Sequence, residues 1–340
     1  MKALVIPETG PPEVLKVEDR PEPTPGPGEV RVRVKAAGIN FADLMARQGL
    51  YPDAPKLPAV VGYEFAGDIE STGDGVDGFE VGQRVLGGAR FGCYAELVVT
   101  KAANLVPLPD DWSYEEGAAF PVNYTTAYAG LLRYGSLQEG ERVLIHAAAG
   151  GVGIAATQIA KLAGAGTIYG TASPGKHDAI KGFGIDHAID YTSTDFAKEV
   201  RRISGAKQSL DVIMDAVGGN SFRKGYGLLR AGGRLVVFGA SSVTPGDKRD
   251  IKAMAKLAVT TPLFHPLKMS SDSKSVIGLN MLTLWDEFGS LDDYIQPLQG
   301  WIDNKEIRPV VAEAFPLDKG AQAHRFLQER KNVGKVVLTL

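Results

Sequence analysis

A glycine-rich turn is the part of the sequence whose residue types and spacing point most directly to chemistry. Residues 146–156 read H-A-A-A-G-G-V-G-I-A-A, between a strand-like apolar run and a helix-like run. From Ala148 the pattern is A-x-G-x-x-G, in which Gly150 lets the backbone approach a pyrophosphate and Gly153 lets the helix pack closely on the sheet. The alternative is a tight turn without a ligand. We predict a dinucleotide-binding turn formed by Gly150, Gly151, Val152 and Gly153.

The residues after the next strand bear on the choice between NAD and NADP. An NAD site places an acid about 20 residues beyond the turn, to hold the ribose 2′-hydroxyl. Here residues 171–176 read T-A-S-P-G-K and contain no acid. Ser173 can donate to a phosphate, Lys176 supplies positive charge and Tyr191 ends the following strand, so we predict NADPH. Alternatively, Ser173 is a helix N-cap and Lys176 a solvated residue of the first turn.

Composition limits the classes of function. The chain has 340 residues, 44% of them apolar, and a formal charge of -3, which predicts about two globular domains and no general affinity for nucleic acid. A single cysteine, Cys93, excludes a disulfide within the chain and a four-cysteine zinc site. We find no signal peptide and no apolar run near about 18 residues, so we predict a cytoplasmic protein without a transmembrane segment.

The pattern of apolar and polar residues changes along the chain. Up to about residue 108, short β-rich runs such as E-V-R-V-R-V-K (29–35) and A-E-L-V-V-T (95–100) alternate with turns, which predicts a small β-barrel or curled sheet. From residue 142, apolar strands alternate with helical runs, which predicts an α/β fold with a doubly wound parallel sheet. The predicted strands are 142–148, 167–172, 187–191, 210–217 and 233–240, and residues 275–282 are a candidate sixth strand. The C-terminal part again combines helical and strand-like runs, with helices predicted at 291–304 and 317–328.

Four segments carry a family resemblance: A-A-G-I-N-F-A-D-L-M-A-R-Q-G-L-Y-P (36–52), A-A-A-G-G-V-G (147–153), G-T-A-S-P-G-K-H-D-A-I (170–180) and K-N-V-G-K-V-V-L (331–338). With the element order, they resemble the zinc-free quinone oxidoreductase branch of the medium-chain dehydrogenase/reductase superfamily, and most of all the vesicle amine transport protein-like subgroup. The resemblance covers essentially the whole chain.

The resemblance implies a domain organisation and an assembly. A GroES-like substrate domain would comprise residues 1–122 and 287–340, and a Rossmann NADP-binding domain residues 123–286. The cofactor cleft would lie between them. Members commonly dimerise through Rossmann edge strands, which implies a homodimer through residues 275–282.

The resemblance also implies site residues. It places Asn40, Asp43 and Tyr51 near the nicotinamide and substrate, with Tyr51 as hydrogen-bond donor to the substrate. The alternatives are an N-cap role for Asn40, a helix ion pair between Asp43 and Arg47 and surface packing for Tyr51. The resemblance further implies Thr126 and Asn332 as cofactor residues. Phe238 and Gly239 are predicted cofactor residues because they end a strand at the side of an open sheet where ligands bind.

A lone carboxylate, Glu64, raises the question of a metal. Zinc-dependent relatives have a cysteine where this chain has Asn40, and a histidine where it has Tyr63, beside the glutamate. Without the thiolate and the imidazole the set of zinc ligands is incomplete, so we predict no metal. A buried carboxylate needs hydrogen bonds, and we expect Glu64 to be a structural residue paired with a basic group or an N–H donor.

These features together predict an enzyme that reduces quinones or α,β-unsaturated carbonyl compounds with NADPH and without zinc. Such substrates need little activation, because the reduced anion is delocalised and hydrogen bonds stabilise it. The rival prediction is a regulatory protein that binds NADPH with little turnover and associates with a membrane or a partner through the basic segment 244–256. That segment is otherwise an ordinary solvated helix face. A third possibility is an alcohol dehydrogenase with unusual zinc ligands.

Overall fold

The computed structural model describes residues 1–243, 246 and 250–340. The contacts divide the chain into two compact units: Met1–Asn123 with Gly246–Arg249 and Leu282–Leu340, and Tyr124–Pro245 with Asp250–Met281. We refer to them as the first and second unit. The predicted basic segment 244–256 lies partly outside the described residues, since five of its residues, 244, 245 and 247–249, are not described. In the described ranges, no helix combines the length and apolar content required to cross a bilayer.

The first unit is β-rich and draws its strands from both ends of the chain. Its larger sheet has the strand order Val311–Pro316, Lys335–Thr339, Glu29–Ile39, Glu64–Thr72, Arg84–Gly88 and Leu105–Pro107, with Leu97–Lys101 also paired to Glu29–Ile39. A smaller sheet contains Lys16–Asp19, Lys2–Ile6 and Ala59–Val60. The α-helices of this unit are Phe41–Arg47, Tyr114–Ala118, Asp292–Ile295, Gln299–Asp303 and Gly320–Gln328, and two more helices, Pro121–Tyr128 and Met281–Phe288, include residues of both units.

The long strand Glu29–Ile39 shows why this unit folds around a sheet. Val30, Val32 and Val34 are buried, whereas the charged residues between them are more exposed, as the period of two predicts. The strand runs four residues beyond the predicted 29–35, and its far end pairs antiparallel with Lys335–Thr339. The GroES-like architecture with C-terminal strands in its sheet is therefore confirmed.

The second unit contains the predicted doubly wound sheet. Six parallel strands stand in the order third, second, first, fourth, fifth and sixth along the chain, which is the Rossmann arrangement. In chain order they are Arg142–Ile145, Thr167–Ala172, His187–Asp190, Leu210–Asp215, Leu229–Val237 and Ser275–Gly278. The helices are Gly151–Leu162, His177–Phe183, Phe196–Ser204, Asn220–Tyr226, Ile251–Thr260 and Pro266–Asp272. The fold class predicted from the sequence is confirmed.

Several strands of the second unit begin or end a few residues from their predicted bounds; the first ends at Ile145 instead of 148, and the fifth spans Leu229–Val237 instead of 233–240. Two further elements differ in the kind of structure. The sixth strand ends at Gly278 instead of 282, and the helix Met281–Phe288 begins where the strand was expected to continue. The helix predicted for 291–304 is three short pieces, with a 3₁₀ turn at Gln296–Leu298. Pro297 lies in that turn, and proline has no N–H for a regular α-helical hydrogen bond.

Candidate functional site

The glycine-rich turn has the geometry that a dinucleotide requires. Gly150 is the N-cap of the helix Gly151–Leu162, with extended backbone at φ -79° and ψ 170°. A Cβ on Gly153 would lie 2.4 Å from the carbonyl oxygen of Ala147, so only glycine lets the helix pack this closely on the turn. A helix start leaves backbone N–H groups available to an anion. The turn therefore fits a pyrophosphate.

Neighbouring strands hold the turn in place. The N–H of Ala148 donates to the carbonyl of Thr171 at 3.0 Å, and the N–H of Ala147 donates to Thr171 Oγ1 at 3.2 Å. The same hydroxyl lies 3.0 Å from His146 Nδ1. The sequence prediction did not include Thr171, although a threonine one residue before the end of the neighbouring strand Thr167–Ala172 was a signal for this role.

The other predicted cofactor residues of the second unit follow the carboxyl ends of parallel strands. Ser173 and Lys176 follow Thr167–Ala172, Tyr191 follows His187–Asp190, and Phe238 and Gly239 follow Leu229–Val237. Because the strands are parallel, these positions and the glycine-rich turn all lie at the end of the sheet where the carboxyl ends of the strands meet. Ligands of open α/β sheets bind at this end. Ser173 is the N-cap residue of the short turn Pro174–Lys176 without a side-chain capping bond, and Tyr191 is 41% exposed.

Two predicted cofactor residues lie elsewhere. Thr126 is buried in the helix Pro121–Tyr128. Asn332 belongs to the first unit, where its Nδ2 donates to the carbonyl of Gly334 at 2.7 Å and holds the turn before the last strand.

A buried polar network in the first unit surrounds Glu64, which has no exposed surface. Its carboxylate accepts from Asn40 Nδ2 at 2.8 Å and from the N–H of Val122 at 2.7 Å, and it forms an ion pair with the ammonium of Lys335. Lys335 also donates to Asn40 Oδ1 at 2.6 Å. The prediction that Glu64 pairs with a basic group or an N–H donor is confirmed, and Lys335 is a residue that the sequence reasoning did not single out.

Asp43 organises the segment next to this network. Its carboxylate accepts from the N–H of Asn40 at 2.7 Å, from Tyr94 Oη at 2.7 Å and from the N–H of Gly62 at 3.2 Å. Complete burial raises the pKa of Asp43 to about 6, although these hydrogen bonds act in the opposite direction. An ion pair with Arg47 was the alternative interpretation of Asp43. Arg47 donates to the carbonyl of Gly10 at 3.0 Å and to Gln328 Oε1 at 2.6 Å.

Asn40 does stand at the N-cap of the helix Phe41–Arg47. Its side chain, however, is engaged with Glu64 and Lys335, and the carboxylate of Asp43 accepts the hydrogen bond from its backbone N–H. The amide therefore connects the helix start to the buried ion pair.

Three aromatic rings form a second cluster in the first unit. The ring centroid of Tyr63 lies 5.0 Å from that of Phe91 and 6.5 Å from that of Tyr51, which meets it edge-on at 81°. Burial raises the pKa of Tyr51, and burial followed by the nearby Asp43 carboxylate raises the pKa of Tyr63 far above its ordinary value. Both phenols therefore keep their protons at neutral pH and can act as hydrogen-bond donors.

The residues at the zinc positions do not suit a zinc ion. An amide and a phenol stand in place of a thiolate and an imidazole, and the ammonium of Lys335 is already paired with the one carboxylate, Glu64. In the part of the chain that the structure describes, no three His, Cys, Asp or Glu side chains gather in a way that could hold a metal.

Comparisons with known proteins place the chain in a family. Residues 26–110 match the alcohol dehydrogenase GroES-like domain, and residues 183–338 match the zinc-binding dehydrogenase family. Over 340 aligned residues the chain is 38% identical to the human synaptic vesicle membrane protein VAT-1 homolog, covering 99% of this chain and 86% of the human protein. The chain belongs to the medium-chain dehydrogenase/reductase superfamily, in its VAT-1 homolog group. A zebrafish VAT-1 homolog is 40% identical over 305 residues, which are 90% of this chain but 63% of the zebrafish protein.

Solved structures agree with membership of the superfamily. A quinone oxidoreductase from Pseudomonas syringae has a TM-score of 0.84 and 33% identity, covering 100% of this chain and 99% of that one. A mycobacterial protein in complex with NADPH has a TM-score of 0.85 and 31% identity, covering 100% of both chains. An NAD-dependent alcohol dehydrogenase has a TM-score of 0.84 and 34% identity, again covering 100% of both. The chain is therefore an oxidoreductase of the medium-chain dehydrogenase/reductase superfamily, in which a nicotinamide cofactor is typical.

Proposed function

We propose that this chain is a zinc-independent reductase that uses NADPH to reduce quinones or α,β-unsaturated carbonyl compounds. The observation that carries the proposal is the donor set around Glu64. Asn40 and Tyr63 are poor zinc ligands, and Lys335 supplies the positive charge that the buried carboxylate needs. Quinones and enones are the carbonyl substrates that such a site can reduce, since their reduced anions are delocalised. The likeness to a solved quinone oxidoreductase supports this choice.

Residues of the chain would position the substrate and donate hydrogen bonds to it. When bound, NADPH supplies a hydride to the acceptor. Tyr51, half-buried and protonated, donates a hydrogen bond to the carbonyl oxygen on which negative charge develops. Asn40 and Asp43 fix the segment on which this chemistry depends, because their hydrogen bonds join the helix Phe41–Arg47 to Gly62 and Glu64.

The second unit would hold the cofactor. The glycine-rich turn takes the pyrophosphate, Thr126, Phe238 and Gly239 contact the nicotinamide half, and Ser173, Lys176 and Tyr191 recognise the 2′-phosphate. Asn332, in the first unit, is a further proposed cofactor residue. The absence of an acid after the second strand supports NADPH over NADH. The complex of the mycobacterial relative with NADPH supports the same choice.

NADPH oxidation, measured with an ortho-quinone, a para-quinone and an enone, tests the activity. We expect turnover with at least one of them. Tight NADPH binding without turnover of any of the three would contradict the proposal and favour the regulatory alternative, to which the membrane-protein names of the relatives point.

A charge deletion tests the choice of cofactor. Lys176→Ala should weaken NADPH binding about 10- to 100-fold, the size of a lost charge-assisted hydrogen bond, and change NADH binding little. The matched control is Lys181→Ala, which removes an exposed lysine of the helix His177–Phe183. Equal losses for the two cofactors in the Lys176 variant would refute recognition of the 2′-phosphate.

The proposal includes a homodimer through the edge of the second unit. In the described sheet, the strand Ser275–Gly278 is paired on one side only, with Leu229–Val237. Val259, Leu263 and Leu267 of the same unit are large apolar residues with exposures of 76% or more. An open strand edge and exposed apolar side chains are features that a partner chain covers.

A further inference from the structure

The hydroxyl of Tyr63 is a buried polar group without a partner. The residue is 7% exposed, and its Oη is buried with no hydrogen bond to any described atom. Other tyrosines of the same unit behave differently, since Tyr94 Oη donates to Asp43 at 2.7 Å and Tyr114 Oη donates to Asp68 at 2.6 Å. Nearly all buried polar groups in proteins are hydrogen-bonded, so an unpaired one calls for an explanation.

The surroundings of this hydroxyl suggest what its missing partner is. The ring of Phe91 is tilted by 46° at a centroid distance of 5.0 Å, and the ring of Tyr51 stands edge-on. The hydroxyls of Tyr51 and Tyr63 lie close enough for a weak contact that shifts the pKa of both, but this contact does not have the distance and angles of a hydrogen bond, so Tyr63 Oη has no partner of good geometry. A donor framed by aromatic rings suits a flat ligand that has an acceptor oxygen on its own ring.

We propose that Tyr63 Oη donates a hydrogen bond to a carbonyl oxygen of an aromatic quinone, and that Tyr51 and Phe91 contact the plane or edge of that quinone. This inference rests on the proposed function and narrows it, because an aliphatic enone would gain little from the rings. Tyr63 is thereby a substrate-contacting residue that adds specificity to the donor role of Tyr51.

The chemistry of the phenol agrees with this assignment. Tyr63 remains protonated at neutral pH because burial, with the Asp43 carboxylate nearby, disfavours its anion. It therefore offers its hydrogen to an acceptor. The Asp43 carboxylate is engaged by Asn40, Gly62 and Tyr94, and the structure gives Tyr63 no bond to it. An incoming quinone oxygen would satisfy the hydroxyl that the protein leaves unpaired.

The variant Tyr63→Phe tests the inference, because it removes only the hydroxyl. We expect the KM for naphthoquinone to rise about five- to tenfold, the loss of one hydrogen bond, and the KM for cyclohexenone to change less than twofold. The melting temperature should stay the same or rise, since no hydrogen bond of the protein is broken. The matched control Tyr114→Phe removes a hydroxyl that is bonded within the protein and should leave both KM values unchanged.

Direct binding separates this inference from the proposed function. Titration of the protein with naphthoquinone in the absence of nucleotide needs no turnover, and we expect the same loss of affinity in Tyr63→Phe. If the wild type turns over no acceptor but the titration shows this loss, the proposed function fails and the quinone contact stands. If Tyr63→Phe binds naphthoquinone as the wild type does, the inference is overturned, and a permanently bound water is the partner of the hydroxyl.

Phe91→Leu tests the contribution of the ring. Leucine keeps the apolar character of the position but loses the aromatic face. We expect weaker binding of naphthoquinone with little change for cyclohexenone. Equal losses for both ligands would show a general packing defect and contradict the preference for an aromatic substrate.

Discussion

Lys335, whose side chain is 4% exposed, neutralises the charge of the buried carboxylate of Glu64. Lys335 and Glu64 form a buried ion pair, and Asn40 bonds to both. Removing two charged groups from water costs free energy. A buried ion pair offsets this cost only where further hydrogen bonds satisfy its remaining donors and acceptors. Here Val122 supplies one more N–H to the carboxylate. The network is therefore sensitive to the loss of any one charge.

Breaking this pair should destabilise the first unit strongly. Lys335→Met leaves the Glu64 carboxylate buried without its counter-charge, so we expect the free energy of unfolding to fall by about 3–5 kcal/mol. Unfolding in denaturant measures this change in the free energy of unfolding. The surface pair Lys2–Asp19, with side chains 53% and 78% exposed, provides the control, and Lys2→Met should cost about 1 kcal/mol or less.

The double variant Lys335→Met/Glu64→Gln shows whether the cost comes from the charge. Its loss should be smaller than the sum of the two single losses by about 1–3 kcal/mol, because it leaves no unpaired charge. Strictly additive losses would mean that the two side chains act independently, against the ion-pair interpretation.

Sequence reasoning could state that Glu64 needs a partner but could not name it. Burial of a carboxylate among apolar residues implies hydrogen bonds wherever it occurs. Lys335, however, begins a short apolar strand near the other end of the chain, and its residue type and immediate neighbours do not distinguish it from a surface lysine. The same limit applies to Thr171, whose role depends on the contact between two strands.

At the scale of elements, the helices and strands of the second unit follow closely from the sequence. Near-continuous apolar runs predicted all six strands, and the second was predicted with its observed bounds, Thr167–Ala172. The errors lie at the ends, such as the early stop at Gly278, where the chain turns into a helix. Strand ends depend on pairing with neighbours, which a single sequence does not reveal.

The packing of one helix against the glycine-rich turn can be tested by a single methyl group. Gly153→Ala places a Cβ 2.4 Å from the carbonyl of Ala147, so the helix Gly151–Leu162 must shift. We expect a loss of about 1–3 kcal/mol in unfolding free energy and much weaker NADPH binding by titration.

The matched control is Gly182→Ala, in the helix His177–Phe183. A Cβ there meets nothing within 4 Å, and we expect stability to rise by up to about 1 kcal/mol with NADPH affinity unchanged. If Gly153→Ala and Gly182→Ala change stability and NADPH affinity equally, the interpretation that Gly153 allows close packing of the helix on the turn is wrong.

At the scale of the whole molecule, two buried groups give the stability opposite dependences on pH. Burial, with Arg47 nearby, lowers the pKa of His324 from 6.5 to about 3, so its contribution is complete above about pH 6.5 and is lost as the pH falls towards 3. Burial raises the pKa of Asp43 from 3.8 to about 6, so its contribution is present below about pH 3.8 and is lost as the pH rises through 6. Between pH 4 and 6 the two largely cancel.

Replacing the histidine should reveal this cancellation. His324→Met keeps a similar volume and cannot bind a proton, so from pH 7 to pH 5 the variant should gain about 2 kcal/mol of unfolding free energy relative to wild type. Denaturant unfolding at several pH values measures the difference. Asp43→Asn should change in the opposite sense, losing stability relative to wild type on acidification. Parallel curves for wild type and the His324 variant would contradict the assignment.

The assembly of the first unit from both chain ends has a consequence for biosynthesis. Asn40 and its partner Lys335 are 295 positions apart, so a ribosome that adds roughly 5–20 residues per second makes them some 15–60 s apart. During that interval Glu64 lacks its ammonium and the strand Glu29–Ile39 lacks the neighbour Lys335–Thr339. The sheet strands of the second unit, from 142 to 278, are made before that neighbour and contact one another. The nascent chain therefore keeps an incomplete sheet until the strand Lys335–Thr339 emerges.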